Sequence, residues 1–337
     1  MHIPNDSSFD SPSKAPGKDP VSASAHPEGS FESVQSDGSE IISRLDDVIR
    51  LSVDRLRKAG NEEARREVEW MLESIMGIRR MQLLMHQDET VSQEAQLRLQ
   101  ECIERRVARE PLQYILGEAH FYGRRFSVRP GVLIPRPETE LLAEWAIQAL
   151  SGRKGERLLD LGTGSGCLPI TVALERPGTE CTGVDLSRDA LEIARANARD
   201  LDAKVHFVEG DMVSTDLALQ LHSTSQPHLA SQQERPFDVL ISNPPYIPES
   251  EREELQPEVL DHEPQMALFA GTDPLHFYRG IASSAPALLK SGGWLCVEIH
   301  SLYGNEVQEL FKVAGFRDVA LQQDLAGRDR LVSARMI

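Results

Sequence analysis

From Arg157 onward the chain alternates short apolar runs with stretches of helical periodicity, and this alternation limits the fold more than any other feature. Apolar runs fall at Arg157–Leu161, Glu180–Val184, Val205–Val208, Phe237–Ser242, Trp294–Ile299, Val319–Gln322 and Arg330–Met336. Helices are expected from Cys167, over Arg188–Arg199, near Pro274–Lys290 and over Glu306–Ala314. Strands that alternate with helices pair in parallel, because each helix carries the chain back to the same end of the sheet. The expected fold is therefore α/β, a doubly wound, seven-stranded, Rossmann-like sheet with an antiparallel edge near its end.

The first run ends in Gly162-Thr163-Gly164-Ser165-Gly166 and continues into an apolar helix. Glycines at alternate positions after a strand let a ligand approach the backbone and aim helix N–H groups at it. The spacing is G-x-G-x-G, which differs from the dinucleotide G-x-G-x-x-G; flavin, nicotinamide and methyl-donor sites all use such loops. The second run ends at Asp185, where a carboxylate can accept both hydroxyls of a ribose. After the third run come Asp211 and Met212. Asp211 can accept an adenine amine while Met212 packs on the ring, and an exposed loop aspartate is an equally good reading.

The fourth run, Phe237 to Ile247, stops at Asn243-Pro244-Pro245-Tyr246. Two successive prolines lack N–H groups and hold φ near −65°, so the backbone leaves the ladder in one extended turn. The side-chain oxygen of Asn243 and the carbonyl of Pro244 are then two acceptors suited to an NH2 group on a planar π system, with Tyr246 against its flat face. A glutamine amide and the exocyclic amine of adenine or cytosine both fit. The competing reading is a loop that merely punctuates a strand.

Upstream, residues 1–39 are Ser, Pro, Asp and Gly with scarcely an apolar residue, and a disordered tail is expected. Residues 40–111 carry Ile41, Ile42, Leu45, Val48, Ile49 and Val53, then Val68, Trp70, Met71, Leu72, Ile75 and Met76, then Leu97, Leu99, Ile103 and Val107. Three- and four-residue intervals describe amphipathic helices, hence a small N-terminal helical domain that serves either partner recognition or packing. In the linker, residues 112–140, Phe126, Val128 and the Val132-Leu133-Ile134 run suggest a hairpin, followed by a helix over Glu138–Leu150. Arg136, Glu138 and Glu140 are expected to cap one another or a ligand. Residues 141–337 form the main α/β domain, interrupted by a long polar connection over 213–236.

A formal charge of −17 is the wrong sign for gripping phosphate backbones, so no direct nucleic-acid partner is expected. No apolar run reaches ~18 residues, and the N-terminus lacks an apolar targeting core, so the expected setting is the cytoplasm without a membrane anchor. Cys102, Cys167, Cys181 and Cys296 are scattered and are expected as reduced thiols; the histidines show no ligand spacing, and no metal is expected.

The order D-L-G-T-G-S-G, V-D, G-D, N-P-P-Y resembles a class I S-adenosylmethionine-dependent methyltransferase acting on amino groups. RRVAREPLQYILGE, HFYGRRFSV and VLIPRPETE, with D-x-x-G-x-x-R over Asp324 to Arg330, further resemble the release factor glutamine methyltransferase family, PrmC/HemK, across about residues 40 to 337. The resemblance implies N5-methylation of the glutamine in the Gly-Gly-Gln motif of class I peptide chain release factors; a monomer is expected. It implies that Gly162, Thr163, Gly164, Ser165 and Gly166 approach the methionine part of the donor, Asp185 the ribose, and Asp211 and Met212 the adenine. Asn243, Pro244, Pro245 and Tyr246 would hold the target amide, with Asn243 also beside the donor. Where the family has E-x-G-x-x-Q this chain has Glu298-Ile299-His300-Ser301-Leu302-Tyr303, and Met212 stands where an aromatic residue is common. A ribosomal-protein glutamine methyltransferase and a DNA adenine N6-methyltransferase are the alternatives.

Overall fold

The computed structural model describes residues 44–85, 88–223 and 236–337. The tail expected over residues 1–39, the apolar Ile41 and Ile42, and half of the polar connection at 213–236 lie outside the described residues. A hairpin of β1 (Glu118–Phe121) and β2 (Arg124–Ser127) precedes the main sheet. That sheet contains β3 (Arg157–Leu161), β4 (Glu180–Asp185), β5 (Val205–Glu209) and β6 (Phe237–Ser242). After a two-stranded ribbon of β7 (Ile247–Pro248) and β8 (Phe269–Gly271) come β9 (Leu289–Glu298), β10 (Arg317–Gln323) and β11 (Asp329–Arg335). Its order is β10-β11-β9-β6-β3-β4-β5.

Strands β9, β6, β3, β4 and β5 pair in parallel, whereas β11 is antiparallel to both neighbours. The antiparallel edge expected near the end is present as the β10–β11 pair, with β11 one place in and β10 outermost. Burial explains the arrangement. Leu331, Val332, Ser333 and Ala334 of β11 are buried, while β10 is largely exposed or half-buried. The hairpin docks by its apolar strand and leaves the polar one as a shielded edge.

Apolar side chains of β3 to β6, β9 and β11 meet helices on both faces, including Glu140–Ala149, Cys167–Glu175, Arg188–Asp200, His276–Leu288 and Gly304–Val313. From β3 the chain winds one way to β4 and β5, then crosses to β6 on the other side of β3. That reversal opens a crevice at the carboxyl ends of β3 and β6, where ligands bind in such sheets.

Helices Leu45–Lys58, Ala64–Met76, Arg80–Met85 and Gln93–Val107 bury Leu45, Val48, Ile49, Val53, Val68, Met71, Leu72, Leu99 and Ile103 together. Trp70, Leu97 and Val107, expected on the apolar stripe, are instead exposed. Ser92 caps the fourth helix by accepting from the Ala95 N–H at 3.2 Å, an interaction worth ~1 kcal/mol. These helices are fastened to the rest of the molecule at Glu258, which accepts from Arg106 at 3.2 Å and Arg109 at 3.1 Å. Arg106 also holds Glu67 at 2.7 Å.

Between them the chain departs from expectation in two places. The Val132-Leu133-Ile134 run belongs to no strand; the Tyr114 hydroxyl donates to the Val132 carbonyl at 2.6 Å and holds the run against the crevice. The helix expected from Glu138 begins at Glu140, after a 3-10 turn over Pro137–Thr139, because Pro137 sets only the first turn.

Candidate active site

The glycine loop leaves β3 with its amides already committed. The N–H groups of Gly162 and Thr163 both donate to the Val184 carbonyl, at 2.8 and 2.9 Å, and Gly164 N–H donates to Asp185 Oδ2 at 2.8 Å. These three amides tie the loop to the end of β4. Thr163 and Ser165 both line the crevice, but their hydroxyl oxygens are buried, that of Thr163 lying against Gly183 and the Asp160 carboxylate. Asn197 steadies the loop from behind, donating to the Ser165 and Ser127 carbonyls at 2.9 and 3.1 Å.

Gly162 and Gly166 serve different purposes. A Cβ on Gly162 would lie 2.6 Å from the Met212 methyl, at the crevice. A Cβ on Gly166 would press on Ile170, Ala194 and Phe207 at 3.0 to 3.1 Å, so this residue lets helix and sheet approach and does not line the crevice. Beneath the loop Asp160 is fully buried with neither oxygen hydrogen-bonded in good geometry. Burial pushes its carboxyl up to about 7, an effect the adjacent Thr163 hydroxyl offsets and the Asp185 charge adds to.

Asp185 Oδ1 accepts from Ser187 N–H at 2.9 Å, and its Oδ2 from Gly164, so the carboxylate is oriented by two amides and faces the crevice. Burial raises its pKa against those amides. Asp211 Oδ1 accepts from Val213 N–H at 3.0 Å, leaving Oδ2 without a partner among the described residues. Met212 lies beside it on the same wall.

Asn243 follows the last residue of β6 and presents its side chain to the crevice; its Nδ2 donates to the Thr139 hydroxyl at 3.1 Å. Pro245 also lines the crevice, whereas Pro244 and Tyr246 do not. The Tyr246 hydroxyl turns the other way and donates to Glu298 Oε1 at 3.2 Å, with its ring edge-on to His300. Tyr246 is anchored, which differs from a ring lying open for a ligand.

Together these residues enclose a cavity of about 320 Å³, within the range of small-molecule sites. Its walls include residues the sequence did not single out for this purpose: Val132 to Arg136 and Thr139 on one side, Pro264, Met266 and Phe269 on another. Arg136, expected as a capping residue, pairs with buried Glu263, which also accepts from Ile134 N–H at 3.1 Å. That clasp joins the two walls. The proline-bounded VLIPRP stretch was the available signal for the first wall; nothing local marks the second.

A seven-stranded sheet whose seventh strand is inserted antiparallel, with a glycine loop after the first strand at the switch point, defines a class I methyltransferase. Residues 153–326 match a family described as a methyltransferase domain, and residues 47–117 match the PrmC N-terminal domain. Release factor glutamine methyltransferases are similar along most of their length. That of Chlorobaculum tepidum is 41% identical, covering 81% of this chain and 90% of the relative; that of Cereibacter sphaeroides is 41% identical, covering 87% and 99%. A solved release factor-specific protein-(glutamine-N5) methyltransferase from Alicyclobacillus acidocaldarius is 30% identical, covering 63% of this chain and 99% of that one, with a TM-score of 0.38. This chain belongs to the release factor glutamine methyltransferase family.

Proposed function

We propose that the chain methylates the side-chain amide nitrogen, N5, of the glutamine in the Gly-Gly-Gln motif of class I peptide chain release factors, using S-adenosylmethionine. The observation that carries this reading is the convergence of Asn243, from the end of β6, on the same cavity as the glycine loop and Asp185. The residues present fit the donor: a carboxylate at Asp185, an Asp211 carboxylate with one oxygen held by a single amide, and a wall at Met212 suit a nucleoside, with the glycine loop beside them. Bound there, the donor supplies an electrophilic methyl on a sulfonium.

The chain's own task is to make a poor nucleophile react. An amide nitrogen has a delocalised lone pair, so the site must fix the NH2 by its hydrogens and aim the nitrogen. Positioning of this kind is worth up to ~7–11 kcal/mol. Asn243 Oδ1 accepts one of those hydrogens from the cavity wall; the Pro244 carbonyl, expected as the second acceptor, belongs to a residue outside that wall. As nitrogen rehybridises its N–H bonds grow more acidic, and the hydrogen bond to Asn243 strengthens in the transition state. We take residues 40–111 as the region that recognises the folded acceptor, 112–140 as linker and 141–337 as the catalytic domain.

The test is transfer of a radiolabelled methyl to intact release factor, to ribosomal protein and to DNA, with Asn243→Ala alongside. Labelling of release factor that Asn243→Ala abolishes, with donor affinity held within roughly tenfold, is expected. Labelling confined to ribosomal protein or DNA, or full activity of the variant, would overturn the reading.

A further inference from the structure

Two cavity walls flank Asn243, and regular secondary structure holds neither of them in place. Residues 131–136 belong to no strand or helix, and the opposite wall is a four-residue helical turn, Gln265–Leu268, that runs into β8. Irregular backbone of this kind keeps its shape through whatever takes up its polar groups. In the first wall the Val132 carbonyl accepts from the Tyr114 hydroxyl at 2.6 Å, and the Ile134 N–H donates to Glu263 Oε2 at 3.1 Å. Pro135 has no N–H to offer, and Arg136 ends the stretch by pairing with Glu263 Oε1. One carboxylate thus receives two donors from this wall, one on each oxygen.

Glu263 itself belongs to the second wall. It closes the helix Pro257–His262, its N–H donating to the Val259 carbonyl at 3.1 Å, and leads directly into Pro264, which lines the cavity with Met266 and Phe269. Ile247, the first residue after the Asn-Pro-Pro-Tyr turn, pairs with Phe269, so the second wall is continuous with the turn. The first wall reaches the same turn through Thr139, whose hydroxyl accepts from Asn243 Nδ2 at 3.1 Å. Turn, first wall and second wall therefore form a closed ring, and Glu263 is the link between the walls. It is 4% exposed and does not line the cavity, whereas Met266 is 56% exposed at the rim. Gly162, Asp185 and Asp211, at the ends of β3, β4 and β5, have hydrogen bonds of their own outside this ring.

We propose that Glu263 is a positioning residue for methyl transfer: by holding the first wall with both oxygens, it fixes the gap through which the target glutamine reaches Asn243. This rests on the reading of Asn243 as the acceptor for the glutamine NH2. An amide aimed at a methyl group tolerates little play, since a displacement of about 1 Å can cost roughly 100-fold in rate. Two properties of Glu263 enter. Its length lets the carboxylate span Ile134 and Arg136, and it offers two acceptor oxygens where an amide offers one.

The test uses the full chain with intact release factor as acceptor, S-adenosylmethionine as donor, and Asn243→Ala as reference. Glu263→Asp keeps the charge but is one carbon shorter and cannot meet Ile134 and Arg136 together, so kcat is expected to fall roughly 10- to 100-fold. Its donor affinity by calorimetry should stay within about threefold, because the donor residues lie outside the ring. Glu263→Gln keeps the length and an acceptor for the Ile134 N–H, and half-buried Arg136 can turn to solvent; its kcat should fall less, by about three- to tenfold. A carboxylate that served stability alone would lower Tm in these variants and leave kcat of the folded protein unchanged. Melting curves identify a variant that does not fold, and Glu263→Gln decides the matter if Glu263→Asp is one. If Asn243→Ala is inactive while the folded Glu263 variant keeps wild-type kcat, or loses donor affinity as far as kcat, the positioning role is wrong and the acceptor reading stands. A larger loss in Glu263→Gln than in folded Glu263→Asp would overturn it too, since charge and not span would then matter. If Asn243→Ala is itself fully active, the acceptor reading falls and this proposal falls with it.

Discussion

Replacing Gly162 by alanine should weaken donor binding without removing the fold. Gly162 has φ of +75°, a left-handed conformation that costs an L side chain ~1–2 kcal/mol. The new Cβ would stand 2.6 Å from the Met212 methyl, whereas ordinary contact begins at 3.4 Å; the difference, 3.4 − 2.6 = 0.8 Å, is how far that methyl must retreat. Met212 Cε is the free end of a flexible side chain, so it yields and adds little to the folding cost. It yields, however, along the cavity wall. At ~2–4 °C per kcal/mol the backbone term lowers Tm by roughly 2–8 °C. Displaced packing of ~1.4 kcal/mol weakens the donor about tenfold. Gly166→Ala is the control, with φ of +78° and the same backbone strain. Its methyl meets Ile170, Ala194 and Phe207, interior groups that cannot swing aside, and overpacking adds ~1–3 kcal/mol. Its Tm should fall further, with donor affinity of the folded fraction unchanged. Scanning fluorimetry and calorimetry with S-adenosylmethionine measure both quantities. Unchanged affinity in Gly162→Ala, or an equal loss in both variants, would refute the assignment of Gly162 to the cavity and Gly166 to the packing.

Asp185→Ala should weaken donor affinity by roughly ten- to a hundredfold, since a carboxylate held by two amides is lost; unchanged calorimetry would remove Asp185 from the site. Asp160 binds its proton more tightly folded, at about 7, than at its ordinary 3.8. Its contribution to stability is therefore full below about 3.8 and lost as pH rises to about 7. Asp160→Asn should accordingly gain on wild type as pH rises from 5 to 8, and parallel unfolding curves across that range would contradict this. Glu258→Ala should lower stability by ~1 kcal/mol, a small effect because Arg106 keeps Glu67. A loss several times larger would mean that the junction with the helical region depends on this one carboxylate.

The strands were legible because each apolar run is bounded by glycine, proline or aspartate, and the ends of β3, β4 and β6 fell where Gly162, Asp185 and Asn243 required. Val132–Ile134 misled because the same apolar residues suit a buried strand and a cavity wall, and composition cannot separate the two. The place of β11 was not legible from its own residues; it follows from the contrast between its burial and that of β10. Asn243 could be singled out from the prolines beside it. Its side-chain contact could not, since the partner is Thr139, 104 residues earlier. Glu263 is likewise 129 residues from the Ile134 amide it accepts from. Local periodicity carries no trace of such pairings.

The insertion of β11 between β9 and β10 also sets an order of assembly. β10 has no hydrogen-bonded place on the sheet until β11 has docked, so the two join as a preformed hairpin, closed by the Asp324 turn, and not as successive edge strands. The glycine loop, Asp185 and Asn243 all belong to strands that pair without that hairpin, whereas Arg330 arrives with it. Opening of the hairpin alone would leave the glycine loop, Asp185 and Asn243 in place and remove Arg330, whose charge favours the ionised form of Glu298. Native-state hydrogen exchange should then show β10 and β11 exchanging as one unit, at lower free energy than β3, β4 and β6.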